Sequence, residues 1–304
     1  METALIVFRQ TVVMFIYMLA GYILFKKEKL TIKGSRDIAN LLLWLIIPTV
    51  IVNSFCVERS AAKVAELLQS TLVGALTLLV AMAIAALVFK KHPIDNFGSA
   101  FSNAGFIGIP LVQAAIGDQA VFWIVGIIAM LNMLQWTYGV RVITGERSAL
   151  KLKNILVNPI LVGVMIGLML FLSGAGGHLP DVINTTLHGI SALNAPLAMI
   201  VLGSYMAQSD IKKTFTSGHL YVVSAVRLLL IPAATLAVFM LIPFRDDMLL
   251  ALFISASAPI GANVAVYAQL HDLDYPYACQ TVVQSTLLSI ISLPLLLMLA
   301  DVLI

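Results

Sequence analysis

Two short strings hold the residues best suited to chemistry. The first reads Ser102-Asn103-Ala104-Gly105-Phe106-Ile107-Gly108-Ile109-Pro110. The second reads Ser255-Ala256-Ser257-Ala258-Pro259-Ile260-Gly261-Ala262-Asn263. Each places Gly, Pro and Asn inside an otherwise apolar run. Gly and Pro weaken or break a helix. A break in lipid frees backbone amides, which is tolerated only inside protein or around a cavity. The N-terminus of the resuming half-helix carries partial positive charge and free N–H groups, which suit a carboxylate. Gly108, Pro110 and Gly261 are the expected helix-break residues. Asn103, Gly105, Pro259 and Asn263 are the expected substrate contacts. An Asn amide can donate to an anion or accept from a cation. The competing reading is close helix packing by small residues, with Asn bonding between helices. The repetition of the pattern in both halves favours broken helices.

Other polar residues lie in reach of such a site. Asn132 and Gln135 are three apart and share a helix face, so they are expected to line the same cavity. Gln280 and Gln284 share a face four apart, with Ser285 beside them. These three are candidate cation ligands or cavity-lining groups, with interhelical bonding an equal alternative. Arg227 lies inside an apolar run, where Arg is expensive and usually functional. It either snorkels to the nearer face or supplies positive potential for an anion. No predicted span centre holds Asp or Glu, so no buried carboxylate for proton coupling is evident. There is no G-x-x-x-x-G-K-[ST] string for ATP, no metal-ligand spacing, no HExxH and no nucleophile–base set. Neither a cofactor, a metal nor an enzymatic reaction is expected. Cys56 and Cys279 are expected to be free thiols near opposite faces.

The elements that must position these residues follow from composition. Of 304 residues, 61% are hydrophobic and only 11% charged, with a mean hydropathy of +1.01. A soluble domain is about a quarter charged, so lipid must solvate much of this chain. No basic stripe with aromatics suggests nucleic acid. With a single basic residue, Arg9, among the first ten and no A-x-A site, the first apolar run reads as a permanent span. A helical span takes about 20 apolar residues. Ten runs qualify, at about 5–25, 37–57, 67–89, 97–117, 120–141, 154–173, 185–207, 219–242, 247–269 and 276–300.

Lys and Arg alternate by loop. Lys26, Lys27, Lys29, Lys33 and Arg36 follow the first run; Lys90 and Lys91 the third; Arg141, Arg147, Lys151 and Lys153 the fifth; Lys212 and Lys213 the seventh. Only Arg9, Arg59, Lys63 and Arg245 fall on the other side. The positive-inside rule then puts both termini outside. Five spans per half place the halves in opposite orientation, divided at 141–153. This predicts inverted repeats over 1–145 and 150–304. Ala104 to Gly108 aligns without gaps to Ala258 to Ala262, and the register continues to Gly117-Asp118 and His271-Asp272. Pro48 and Pro196 also fall in comparable places.

The string Asn103 to Val112, N-A-G-F-I-G-I-P-L-V, resembles the fourth-span signature of the bacterial auxin efflux carrier family. Ala195-Pro196-Leu197-Ala198 with Gly203 is similar to its seventh span, Arg227-Leu228 with Pro232 to its eighth, and Leu131 to Tyr138 to its fifth. The resemblance implies an all-α integral membrane fold of the NhaA-like type, with crossed, broken helices 4 and 9. Spans 1, 2, 6 and 7 would form a scaffold, commonly a homodimer interface, and spans 3, 4, 5, 8, 9 and 10 an elevator-type transport unit. It implies a secondary transporter of a small organic anion such as malate, malonate or an auxin-like carboxylate, in the inner (plasma) membrane. The plant exporters carry Pro directly after the fourth-span Asn, where this chain has Ala104, and a long central loop, which here is short. Auxin itself is therefore not carried over. The alternatives are a sodium-coupled symporter of the bile-acid-carrier type, with Gln280, Gln284 and Asn263 as cation ligands, and a non-transporting receptor or scaffold.

Overall fold

Backbone surrounded by lipid must close its own hydrogen bonds, and a helix does so within one segment. In the computed structural model, which describes residues 2–145, 158–242 and 246–303, regular structure among the described residues is helical, with one isolated antiparallel bridge between Ser102 and Ile260. Among the described residues, seven helices are long and apolar enough to cross a membrane. They are α1 (Glu2–Lys26), α2 (Ile32–Ser54), α3 (Ala61–Val88), α6 (Asp118–Thr144), α8 (Asp181–Gln208), α10 (Gly218–Phe239) and α13 (Tyr275–Leu303). The shorter α4 (Pro93–Ala100), α5 (Ala104–Ala115), α7 (Pro159–Ser173), α9 (Ile211–Thr216), α11 (Asp246–Ser257) and α12 (Asn263–Leu270) complete the set.

Seven long helices stand where the sequence gives ten apolar runs, and the difference has a physical cause in two cases. The fourth run is split into α4 and α5, and the ninth into α11 and α12, so neither piece reaches spanning length. The sixth run is represented by α7, whose first expected turn falls outside the described residues. Most of the expected divider at 141–153, with Arg147, Lys151 and Lys153, also lies outside them, as does Arg245.

The distribution of apolar surface is that of a lipid-facing protein. Leu72 and Leu87 on α3 are 70% and 82% exposed, and Met169 on α7 is 62% exposed. Many buried Thr and Ser donate to the carbonyl three or four residues back, as Thr11 does to Val7 and Ser204 to Val201, which satisfies those hydroxyls within their own helix. Three helices widen into a π turn just ahead of a proline: Leu42–Ile46 before Pro48, Ala104–Gly108 before Pro110 and Val226–Leu230 before Pro232. Proline has no N–H and its ring crowds the carbonyl four residues back; a wider turn relieves both.

Packing gathers the helices into two groups that also touch each other, as where α1 lies along α13. The second half of α8 lies along α1 so closely that a Cβ on Gly203 would overlap the carbonyl of Met18. The second half of α2 packs on α7 and on the start of α8. In the other group α3 packs on α6, α4, α10 and α11, while α4, α10 and α12 pack on α13. The two helix breaks lie where these groups meet.

Candidate functional site

The two breaks face each other and satisfy each other. Between α4 and α5 the chain is extended through Phe101, and between α11 and α12 it runs through Ala258 to Ala262. The Asn103 N–H donates to the Pro259 carbonyl at 2.8 Å, and the Gly261 N–H donates to the Phe101 carbonyl at 3.0 Å. This pair of bonds is the isolated bridge. It explains the glycine: a Cβ at Gly261 would sit 3.2 Å from the carbonyl oxygens of both Phe101 and Ser102. On the other side of the bridge the Ile260 N–H donates to Ser285 Oγ at 3.2 Å.

Orphan carbonyls at the ends of α4 and α11 are taken by one side chain. Arg227 is fully buried, on the π turn of α10. Its Nε donates to Ala258 O at 2.9 Å, Nη1 to Ser99 O at 3.0 Å, and Nη2 to Ala256 O. A guanidinium carries five donors in a planar fork, and here the fork joins the two half-helices from below. Its positive charge also sits at two helix C-termini, the favourable end of the dipole for a cation. Arg227 therefore does not snorkel to a membrane face.

Beyond the bridge, α5 and α12 begin. The Asn103 carbonyl accepts from the N–H groups of both Ile107 and Gly108, each at 3.0 Å. A cavity of about 30 Å³, the room of roughly one water, lies against these starts. Asn103, Gly105, Asn132, Gly261 and Asn263 line it, with Leu43, Ile47 and Ile160 closing the opposite side. The Asn103 Nδ2 amide is buried and has no hydrogen-bond partner. Asn132 donates to Ile128 O at 2.8 Å in its own helix. Asn263 donates to Gln135 Oε1 at 2.8 Å, so Gln135 stands one shell behind the cavity. No Asp or Glu lines this cavity.

The remaining expected residues have other positions. The carbonyl of Pro259 is occupied by the Asn103 N–H, and Pro259 is not on the cavity wall. Gly108 packs against the backbone of Ser255, and Pro110 lies in the first turn after the π segment of α5. Both ends of the Gln284 amide are engaged, accepting from Ser224 at 2.9 Å and donating to Thr214 O at 2.8 Å. Gln284 therefore joins α13 to α9 and α10, away from the cavity. Gln280 is half-buried on α13 and also off the cavity wall.

Two groups of residues escaped the sequence reading. Asn194 on α8 donates to the Gly105 carbonyl at 3.2 Å. It bridges the two packing groups at the site. Its position within the predicted seventh span, two residues before Pro196, was the available signal. The expectation of no buried carboxylate is corrected by Asp95 on α4, which is 2% exposed. It precedes the fourth apolar run by two residues, so a window average places it outside the span. It accepts from Tyr277 and faces His219. Both cysteines are free; Cys56 is half-buried beyond the end of α2 and Cys279 is buried.

Comparison with known proteins places the chain among membrane transport proteins. A 26% identical relative, described as an uncharacterized transporter of Methanothermobacter thermautotrophicus (strain Delta H), aligns over 297 residues, 92% of this chain and 94% of that protein. The membrane transport protein family matches the chain twice, over residues 6–155 and 148–297. With nearly every residue inside one match or the other, the chain belongs to the membrane transport protein family, that of the auxin efflux carriers, and is a multi-pass transmembrane transporter.

Proposed function

We propose that the protein carries a small organic carboxylate across the plasma membrane by elevator-type alternating access. The observation that supports this best is the buried, unpartnered Asn103 amide, set where α5 and α12 begin in a cavity without acidic residues. The first N–H groups of a helix lack internal acceptors and carry partial positive charge. Together with the Asn103 amide they form a donor-rich pocket of the right sign for a carboxylate. Asn132 and the Asn263–Gln135 pair complete its polar wall.

The double family match, over nearly equal halves, supports two repeats of about 1–145 and 150–304. An odd number of spans in each half would invert one against the other. The loop charges then put both termini outside and the 26–36 and 90–91 loops inside. On this reading α1, α2, α7 and α8 are the scaffold, and the remaining helices move with the crossing. A scaffold of this kind is where a homodimer would form. A second cavity, of about 300 Å³, lies between Ile32–Leu43 of α2, the end of α8, α12 and Tyr275. It shares Leu43 with the central cavity, and Arg36 lies on its wall at the basic face. It is the inner vestibule of the proposed path, with Leu43 as its floor.

The sodium-coupled alternative needs oxygen ligands at the crossing. Arg227 takes the carbonyls of Ser99, Ala256 and Ala258 that would serve best, and Gln284 is bonded elsewhere, which favours the uncoupled or proton-linked reading.

The test is counterflow in proteoliposomes loaded separately with malate, malonate, citrate, lactate and indole-acetate. Exchange of one carboxylate is expected in wild type and lost in Asn103→Ala, whose folding is checked by thermal unfolding. Unchanged exchange by that variant would overturn the assignment of Asn103, and no exchange with any of the five would overturn the substrate class.

A further inference from the structure

A second cluster of ligating side chains lies about the basic face, at the start of α4, the other end of that half-helix from the crossing. His92 caps the start of α4, Asp95 is in its first turn, and His219 begins α10. His219 Nε2 is 2.8 Å from Asp95 Oδ2, and His92 Nδ1 is 3.9 Å from the same oxygen. All three ligand atoms lie within 4.8 Å of one another. The two rings are 5.0 Å apart at their centroids. The second carboxylate oxygen, Oδ1, accepts from the Tyr277 hydroxyl at 2.7 Å.

We propose that His92, Asp95 and His219 form a binding site for a divalent transition-metal ion of the zinc, cobalt or nickel class. Around such an ion, with bonds of about 2.0–2.2 Å, neighbouring ligand atoms sit about 3 Å apart. His219 and Asp95 already meet that spacing. Only the His92 ring must approach, and at 58% side-chain exposure it has room to rotate. The buried carboxylate is the fixed member of the set. The Tyr277 bond holds it with Oδ2 turned to the two rings, the outer-shell orientation that metal-ligating carboxylates commonly have. The cluster opens on a cavity of about 450 Å³, whose walls include Lys91 and Asp274. Water can complete the coordination from that side. Two imidazoles and one carboxylate suit zinc, cobalt and nickel better than magnesium or calcium, which take oxygen ligands.

The position of the cluster gives an ion at this site leverage on the crossing. It would join the start of α4 to the start of α10, with α13 attached through Tyr277. These are the helices that carry Ser99, Arg227 and the brace at Ser285. An ion here ties together the end of the moving group that faces the basic side, and it stabilises the crossing without entering the substrate cavity.

The experiment uses the purified full chain, stripped with a chelator and then titrated with zinc chloride, with magnesium chloride as the control ion. One zinc per chain is expected by calorimetry, with a rise in melting temperature of about 5 °C at a hundredfold excess over Kd. Cobalt chloride is expected to give visible absorption bands. His92→Ala, which alters an exposed ring, is expected to weaken zinc at least tenfold and to retain the wild-type melting temperature without metal. His219→Ala is expected to abolish the cobalt bands. The proposal is overturned if zinc binds wild type no better than magnesium does, or if a His92→Ala/His219→Ala double variant keeps one-to-one binding.

Discussion

Replacing Arg227 tests the physical account of the crossing most directly. The side chain is fully buried and donates to three carbonyls at the ends of two half-helices. In Arg227→Met the stem volume is roughly kept and all three donors vanish. Each buried carbonyl left without a partner costs about 1–3 kcal/mol, a gross loss of about 3–9 kcal/mol. Removing a buried charge returns part of this, because its desolvation is no longer borne by the fold. The net expectation is about 3–5 kcal/mol of destabilisation, the usual range for breaking a buried charged network from one side. At about 2 °C per kcal/mol for a chain of this size, the melting temperature falls by roughly 6–10 °C. Arg227→Lys keeps the charge and up to three N–H donors but loses the planar fork. It is expected to fall between Met and wild type. Unfolding in detergent can be followed with a thiol-reactive dye, since Cys279 is buried. A Met variant that melts with wild type would refute the account. A Lys variant equal to wild type would show that charge alone, and not the fork, holds the two half-helices.

Three further outcomes are expected. Asn194→Ala removes the side-chain bond to the Gly105 carbonyl, a loss of about 1 kcal/mol; if that bond holds the closed arrangement, counterflow speeds up by roughly fivefold, and an unchanged rate argues against a tether there. Arg36→Gln removes the cation on the vestibule wall, so uptake from the basic face is expected to fall by about tenfold at low salt and to converge with wild type at high salt, as initial rates across a salt series will show. Burial pushes the Cys56 thiol up from its ordinary value, which lowers its thiolate fraction near neutral pH; maleimide labelling of Cys56 in the folded protein is expected to be slow at pH 7 and to rise steadily above pH 8, measured by mass spectrometry with Cys279 protected until unfolding.

The breaks were legible in the sequence because Gly, Pro and Asn within apolar runs have few uses in lipid. Asn103, Gly105, Asn132, Gly261 and Asn263 do meet at one cavity, and each belongs to a string whose spacing could be read locally. What local spacing cannot give is pairing between strings. The fork of Arg227 reaches carbonyls 29 and 128 residues away, so its choice between snorkelling and bracing was undetermined. Gln284 and Asn132 both read as polar helix faces, yet one side chain spans three helices and the other lines the cavity. Asp95 failed for another reason. Hydropathy averages over a window, and a carboxylate two residues before the apolar run looks like a solvated end until α10 and α13 are seen to cover it. His219 lies 124 residues from Asp95, which no metal-ligand spacing rule anticipates.

The bonding at the crossing bears on how a carrier of this shape would move. The central cavity, about 30 Å³, is too small for a dicarboxylate, so admitting one requires movement at its walls. Opening it by parting α5 from α12 would break the Asn103–Pro259 and Gly261–Phe101 bonds and strip Arg227 of acceptors shared by both halves. Each of those groups is buried, and each would be left unpaired in a medium that offers no replacement. The opposite wall is different. Leu43 and Ile47 of α2 and Ile160 of α7 meet the site through apolar contact, which can slide without leaving a polar group bare. Asn194 contributes a single bond across the same boundary. On the proposed elevator reading the crossing would travel as one body against α1, α2, α7 and α8, carrying its donors with it. In such a movement Arg227 keeps its three acceptors in every state, and the sign of the pocket is the same on both sides of the membrane.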